Sequence, residues 1–115
     1  MYSGRVPSAG AKPWARPGRL PVVTNDLARL HGPTSGQVEL PHRLFWQAHR
    51  VFDLDQRDLL RWMYEIVLAE ARSQAELEAW LDGRTLQELW GELFLPPGVL
   101  HAWESRHPQL RARAA

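Results

Sequence analysis

Most apolar residues in the second half of the chain are spaced as on the face of a helix. Two neighbouring rows follow residue 55: Leu59, Trp62, Met63, Ile66 and Val67, and beside them Leu60, Tyr64, Leu68 and Ala71. Recurrence at i, i+3, i+4 and i+7 predicts a long amphipathic helix, and Asp55 is placed to cap its first turn. A helix with so broad an apolar surface is either central to its own fold or shared with a partner, and the pattern allows both.

Signals for the start of a helix occur at four other places: Pro41 within residues 40–46, Ser73-x-x-Glu76, Thr85-x-x-Glu88 and Pro96-Pro97. Proline favours the first helical position, and the two Ser/Thr-x-x-Glu motifs are capping boxes. Gly83 predicts the end of the helix that follows Ser73, and Pro108 predicts the end of the last helix. Alternation of apolar and polar residues does not extend beyond three or four positions. We therefore predict an all-α fold, a compact orthogonal array of four or five short helices.

Charge and helix-breaking residues divide the chain into three parts. Residues 1–36 carry a net charge of +4, whereas residues 37–115 carry −3, and most prolines and glycines come before residue 42. A segment rich in Arg, Pro and Gly buries too little apolar area to offset its ordering entropy. We therefore predict a flexible basic arm over 1–36, a helical domain over 37–108 and a basic tail over 109–115. Within the arm we predict disorder over 1–20 and one helical turn over 24–30, which would carry Leu27 and Leu30 and be capped by Thr24 or Asn25.

Composition and spacing give little support to an enzyme or a metal site. The chain has no cysteine, which excludes disulfides, thiolate zinc ligands and thiol nucleophiles. Neither His42 with His49 nor His101 with His107 has the i, i+4 spacing of a helical zinc pair. No apolar run reaches the length of a membrane span, and the first residues do not form a signal peptide. We expect a cytoplasmic protein without enzymatic activity, metal or cofactor.

Tryptophan is the unusual residue of this chain. Six occur in 115 residues, and five of them lie between residues 46 and 103. A domain this small either uses them all to consolidate its core or leaves one or two exposed as anchors for a partner. The candidate binding residues lie near predicted element ends or on an acidic helix face, and they are Trp46, Trp90, Trp103, Glu88 and Glu92. Together they predict a module that binds a basic protein partner.

DNA binding is the alternative function. Residues 73–82 and 85–92 have the outline of a helix-turn-helix. The second helix would bring Gln87, Glu88 and Glu92 to the DNA, with no Arg or Lys among them, which opposes binding to a polyanion. The basic arm is the better DNA-binding element. It defines the runner-up, a small DNA-binding transcriptional regulator that uses residues 1–36.

Several short motifs of the helical domain occur together in one known family. They are Leu40-Pro41 with Phe45-Trp46, Phe52-Asp53-Leu54, the runs at 64–70 and 77–81, and Leu95-Pro96-Pro97 with Ala102-Trp103. In this layout residues 38–104 resemble small bacterial proteins encoded beside nucleotidyltransferase toxins of the AbiEii/AbiGii type. The resemblance implies an antitoxin-like or accessory partner of such a toxin, acting by binding, and it implies no catalytic residues. The acidic, tryptophan-rich composition is compatible with that function but does not indicate it by itself.

Overall fold

The fold is mainly helical, as the apolar spacing predicts, with one small sheet in addition. A computed structural model describes residues 21–48 and 50–114. Its α-helices within those residues are α1 (Arg57–Glu70), α2 (Gln74–Trp80), α3 (Gly83–Leu89), α4 (Pro97–Arg106) and α5 (Gln109–Ala114). The other elements are two 3-10 turns (Leu27–Arg29 and Trp90–Glu92) and two strands, β1 (Gln37–Glu39) and β2 (Val51–Asp53). The prediction of four or five short helices is confirmed, and the prediction of a purely all-α fold is wrong.

The sheet could not be predicted because its strands are too short to carry a pattern. β1 and β2 pair antiparallel over three residues each, with Val38 opposite Phe52. Phe52 is buried and Val38 is half-buried, whereas Val51 on the same strand as Phe52 is exposed. Three positions are fewer than the roughly four to eight over which alternation identifies a strand.

Helix α1 is the central helix of the fold. Its buried residues are Leu60, Met63, Tyr64, Val67 and Leu68. Leu59 and Ile66 are half-buried and Trp62 is exposed, so the broad apolar surface of α1 is divided between the core and solvent. The N-cap of α1 is Gln56. The predicted cap at Asp55 is wrong, because that carboxylate accepts a hydrogen bond from a loop N–H at 3.3 Å instead.

The capping signals of α2 and α3 have different outcomes. Ser73 caps α2 as predicted, and its hydroxyl accepts from the Glu76 N–H at 3.2 Å. The N-cap of α3 is Asp82, whose carboxylate accepts from the Thr85 N–H at 3.0 Å and from the Thr85 hydroxyl at 2.9 Å. Aspartate is at least as good an N-cap as threonine, so Asp82 takes the role predicted for Thr85. Gly83, predicted to end α2, becomes the first residue of α3.

Residues 21–36 pack as part of the folded body, which corrects the predicted boundary of the arm at residue 36. Leu27 and Leu30 belong to the hydrophobic core. The Gly32 N–H donates to the carbonyl of Leu81 at 2.8 Å, and the Gly83 N–H donates to the carbonyl of Leu30 at 2.9 Å. These contacts hold the segment against the start of α3. The rest of the predicted arm, residues 1–20, lies outside the described residues.

Most of the segment predicted as a basic tail over 109–115 is helix α5, which packs on the fold. Helix α5 packs against α3 and the 3-10 turn Trp90–Glu92, and Leu110 is fully buried. The buried His107 precedes α5, and its Nε2 lies 2.7 Å from the carbonyl oxygen of Thr24. The two ends of the described chain are therefore joined by a buried hydrogen bond.

Candidate protein-binding groove

Of the three predicted tryptophan anchors, only Trp46 is exposed. Trp46 is 70% exposed, whereas Trp90 and Trp103 are 2% and 0% exposed. The ring centroids of the two buried indoles lie 6.3 Å apart, and Trp90 Nε1 donates to the Glu104 carboxylate at 2.9 Å. The structure therefore buries two of the three candidate anchors, Trp90 where α5 packs over the turn that begins with it and Trp103 on the core side of α4.

Three exposed aromatic side chains converge on one groove. Trp46, Trp62 and Phe94 are 70%, 42% and 88% exposed, and all three line a cavity of about 330 Å³. Its other apolar lining residues are Leu44, Phe45, Ile66, Ala69 and Pro96. This surface is termed the aromatic groove below. Single exposed apolar residues are ordinary on protein surfaces, whereas three large aromatic side chains exposed on one groove make this surface the candidate interaction site.

An aromatic cluster forms the floor of the groove. The ring centroid of Trp62 lies 5.5 Å from that of Phe45 and 5.4 Å from that of Phe52, both edge to face. Phe45 and Phe52 are themselves 5.8 Å apart. Aromatic pairs attract one another at these separations. The indole of Trp62 is therefore fixed on its inner side by two neighbouring rings while its outer side remains exposed.

The backbone around Phe94 directs its ring away from the core. Leu93 has an extended conformation and is buried, and Leu95 is half-buried. Successive side chains of an extended segment point to opposite sides, so Leu93 and Leu95 point towards the core and the ring of Phe94 between them is left in solvent. The Phe94 N–H also donates to the carboxylate of Glu65 at 2.8 Å. The most exposed aromatic residue of the groove is thus carried by a hydrogen-bonded backbone.

The arginine at one side of the groove is engaged by a carboxylate. Arg43 Nε lies 2.9 Å from an oxygen of Glu76, and the same carboxylate accepts from the Arg72 N–H at 2.7 Å. Burial opposes ionisation of Glu76, but the hydrogen bonds from Arg43 and Arg72 outweigh it and lower the pKa of the carboxyl. The ion pair ties the segment that carries Trp46 to the start of α2.

Glu92, one of the two predicted acidic contacts, is paired within the chain. Its carboxylate accepts from Arg57 Nε at 3.0 Å and from Arg61 Nη1 at 3.3 Å. The hydrogen bond from Arg57 lowers the pKa of Glu92 and raises the pKa of Arg57. Glu88 is exposed on α3. The acidic surface predicted from Glu88 and Glu92 is therefore partly neutralised, and its part in partner binding stays a prediction.

The groove has an excess of negative charge. The charged residues that line it, or the shallower depression beside it, are Arg43, Asp58, Arg61, Glu65, Glu70 and Glu92. Four carboxylates and two guanidinium groups leave a net charge of −2 around the three exposed rings. This combination favours an occupant with apolar and cationic side chains.

Three other features of the described residues bear on their chemistry. Between residues 21 and 114, leaving out the undescribed residue 49, no three His, Cys, Asp or Glu side chains are grouped to hold a metal ion. Burial raises the pKa of Tyr64 to about 12, but its hydroxyl is inside the core and accepts from the Asp82 N–H at 2.8 Å. A polar depression of about 490 Å³ beside Asp82 and His31 includes a carboxylate already engaged in capping α3. Over the same described part of the chain, the helices lack the length and apolar character that crossing a membrane requires.

Comparisons with models of known protein families, with characterised proteins and with solved structures found no match for this chain. The support for the toxin-associated family is therefore the sequence resemblance alone. Among the residues that carry it, the fully or almost fully buried ones include Leu40, Phe52, Leu54, Leu77, Leu81 and Trp103. Because these residues are buried, they contribute to the packing of the core, and membership of that family stays a prediction.

Trp62 and Phe94 are binding candidates that the sequence patterns did not single out. Helical spacing places Trp62 in one apolar row with Met63 and Val67, and this hides its exposure. Phe94 lies between two leucines just before Pro96-Pro97. A helix seldom continues into the residue before a proline, so an extended segment is expected here, but the uninterrupted apolar run from Leu93 to Leu95 carries no signal for which side chain faces solvent.

Proposed function

We propose that this protein is a non-enzymatic protein-binding module whose binding surface is the aromatic groove. The observation that carries the proposal is the convergence of Trp46, Trp62 and Phe94 on one surface. Large aromatic side chains dominate the binding energy of protein interfaces. The ring of Trp62 is already held by Phe45 and Phe52, so it loses little conformational entropy when a partner is bound.

The partner we propose is a bacterial nucleotidyltransferase toxin, for which this protein serves as the antitoxin-like or accessory subunit. The resemblance of residues 38–104 to toxin-associated proteins supports this partner. The net charge of −3 on residues 37–115 supports contact with a basic nucleotide- or RNA-binding cleft, because opposite charges steer association. Neutralisation follows from stoichiometric coverage of the toxin surface and requires no catalytic step.

Co-expression with the product of the neighbouring gene tests the proposal. The native chain, the double variant Trp46→Ala/Phe94→Ala and the control Val51→Ala are each tagged and purified in tandem with that product. Val51 is an exposed apolar residue on β2 that is outside the groove lining. We expect co-purification at fixed stoichiometry with the native chain and the control. Each aromatic truncation should weaken binding roughly 30-fold, the value for a hot spot of about 2 kcal/mol.

Two results would contradict the proposal at different levels. Equal recovery of the gene product with the native chain and the double variant would place the binding surface outside the aromatic groove. A gene product that does not co-purify, and that does not arrest growth when this protein is omitted, would eliminate the toxin as the partner. Growth arrest relieved by the native chain and by Val51→Ala, but not by the double variant, would support both parts.

DNA binding is not proposed. In α3, the candidate recognition helix, Arg84 precedes Gln87 and Glu88, and a carboxylate in this position repels the DNA backbone. Residues 21–36 of the predicted arm are engaged in the fold through Leu27 and Leu30. The described residues therefore offer no observation that favours this function over protein binding.

A further inference from the structure

The aromatic groove matches a particular kind of peptide. Its three exposed rings, Trp46, Trp62 and Phe94, provide surfaces on which another indole can pack. The net charge of −2 around them attracts cations, and cations also bind favourably over the faces of tryptophan rings. The best-matched occupant is a short segment that carries a tryptophan between basic residues.

Such a segment occurs in the same chain. Residues 12–19 read Lys-Pro-Trp-Ala-Arg-Pro-Gly-Arg, with Trp14 between Lys12 and Arg16 and with no acidic residue. Residues 1–20 as a whole carry four cations and no acid, so the rest of the chain carries −3. Two prolines within 12–19 restrict the free segment and reduce the entropy that it loses on binding.

We propose that residues 12–19 bind in the aromatic groove of their own chain, with Trp14 packed against the exposed rings of Trp46 and Trp62. In that state the groove is closed to other proteins, and the segment acts as an internal competitor of the partner. The consequence for the partner rests on the proposed function, whereas the contact itself does not.

The path of the chain allows this contact. The carbonyl of Val23 accepts from Gln74 Nε2 at 2.7 Å, so the chain enters the fold beside the first residue of α2. Gln74 is four residues from Glu70, which lines the groove, and four residues span at most about 14 Å. The seven residues from Trp14 to Pro21 span up to roughly 24 Å. The connection is therefore long enough for Trp14 to reach the groove.

Tethering makes even a weak contact effective. A short connection presents its segment at an effective concentration on the order of 1 mM. A contact with an intrinsic Kd of about 0.1 mM is then occupied about 90% of the time. The affinity of the groove for an external partner falls about tenfold, because only the open fraction can bind.

A spin label at residue 15 tests the contact in the full chain. Because the protein has no cysteine, Ala15→Cys creates a single attachment site. A nitroxide broadens the NMR signals of nearby nuclei, and the indole N–H signals of Trp46 and Trp62 report on the groove. These signals are assigned with Trp46→Phe and Trp62→Phe. We expect both to lose most of their intensity in the labelled chain and to recover it when the nitroxide is reduced.

Two further substitutions and a mixing experiment identify the occupant. Trp14→Ala in the labelled chain should restore the signals of Trp46 and Trp62, while the control Tyr2→Ala, outside residues 12–19, should not. Intensities that are the same with and without active nitroxide would overturn the proposal. In the mixing experiment, isotope-labelled chains without nitroxide are combined with unenriched Ala15→Cys chains that carry the nitroxide. Broadening of the isotope-labelled signals would also overturn the proposal, because the occupant of the groove would then be a second copy of the chain.

Measuring the affinity of the variants for the partner distinguishes this proposal from the proposed function. If both hold, Trp14→Ala increases the affinity for the nucleotidyltransferase about tenfold, and Tyr2→Ala leaves it unchanged. If the label shows no contact but Trp46→Ala/Phe94→Ala still abolishes partner binding, the internal competitor is wrong and the proposed function stands. If the label shows the contact and the same double variant binds the partner normally, the contact stands and the proposed function is wrong.

Discussion

Replacement of Gly83 by alanine tests how closely the N-terminal segment packs on α3. A Cβ at this position would lie 2.3 Å from the carbonyl oxygen of Leu27 and 3.2 Å from its carbonyl carbon. The same glycine donates its N–H to the carbonyl of Leu30 at 2.9 Å. Because the obstructing atoms belong to the backbone, rotation of a side chain cannot relieve the contact. Residues 27–30 must instead move away from α3.

The expected cost is the balance of three contributions. Alanine is favoured over glycine in a helix by up to about 1 kcal/mol. Overpacking of a close contact costs about 1 to 3 kcal/mol, and loss of the hydrogen bond between Gly83 and Leu30 costs about 1 kcal/mol. We expect a net decrease of about 2 kcal/mol in the free energy of unfolding. Without the steric contact, the same substitution would be neutral or stabilising.

Urea denaturation followed by tryptophan fluorescence measures this difference. A decrease of about 2 kcal/mol lowers the midpoint by roughly 1 to 2 M when the slope m is unchanged. Gly36→Ala is the control, because φ is +76° there and no heavy atom of the described residues lies within 4 Å of the added Cβ. Its cost is backbone strain alone, about 1 kcal/mol. A Gly83→Ala protein as stable as the native chain would refute the close packing of residues 27–30 on α3.

Three further predictions concern a tyrosine, an ion pair and the groove. The folded chain holds the Tyr64 proton more tightly than the unfolded chain, since burial raises the pKa from 10 to about 12. The stability that this proton contributes is therefore complete below pH 10 and falls by up to about 3 kcal/mol as the pH rises to 12, and urea titrations of Tyr64→Phe should lack this loss. Burial opposes ionisation of Glu76, but the hydrogen bonds from Arg43 outweigh it and lower the pKa of the carboxyl in the folded chain. The stability that the ionised carboxylate contributes is therefore present above pH 4.5 and is lost as the pH falls through the folded pKa. Glu76→Gln should cost about 1 kcal/mol in urea titrations at neutral pH, and this difference should vanish in acid. Phe94→Ser should change the unfolding free energy by less than about 0.5 kcal/mol in thermal melts, because Phe94 is 88% exposed.

Local signals in the sequence predict the helices better than their packing. The capping box at Ser73 and the start at Pro96-Pro97 both correspond to helices of the structure, because capping and proline effects act within one helical turn. The burial of Trp90 depends instead on α5, an element almost twenty residues further along the chain. A residue near the end of one element is exposed only where no other element covers that end.

The candidate site could be predicted only in part, because its three exposed aromatic residues come from segments that are far apart in the chain. Trp46 could be singled out from its position near the end of a predicted turn. Trp62 belongs to α1, and Phe94 belongs to the connection that follows the second 3-10 turn. Their convergence depends on long-range packing, above all on the contact of Phe45 and Phe52 with the ring of Trp62. Periodicity within one segment carries no information about such contacts.

The exposed rings of the aromatic groove are better explained by binding than by an undersized core. A core too small for its aromatic residues would leave them on frayed ends, yet Trp90 and Trp103 near element ends are buried. Phe94 is exposed on a backbone held by Glu65 at 2.8 Å, and Trp62 is held by two edge-to-face contacts. Fixing an exposed aromatic side chain costs conformational entropy and returns little burial energy to the isolated fold. The same fixation reduces the entropy that Trp62 loses when a partner binds, so the arrangement supports the proposed binding surface.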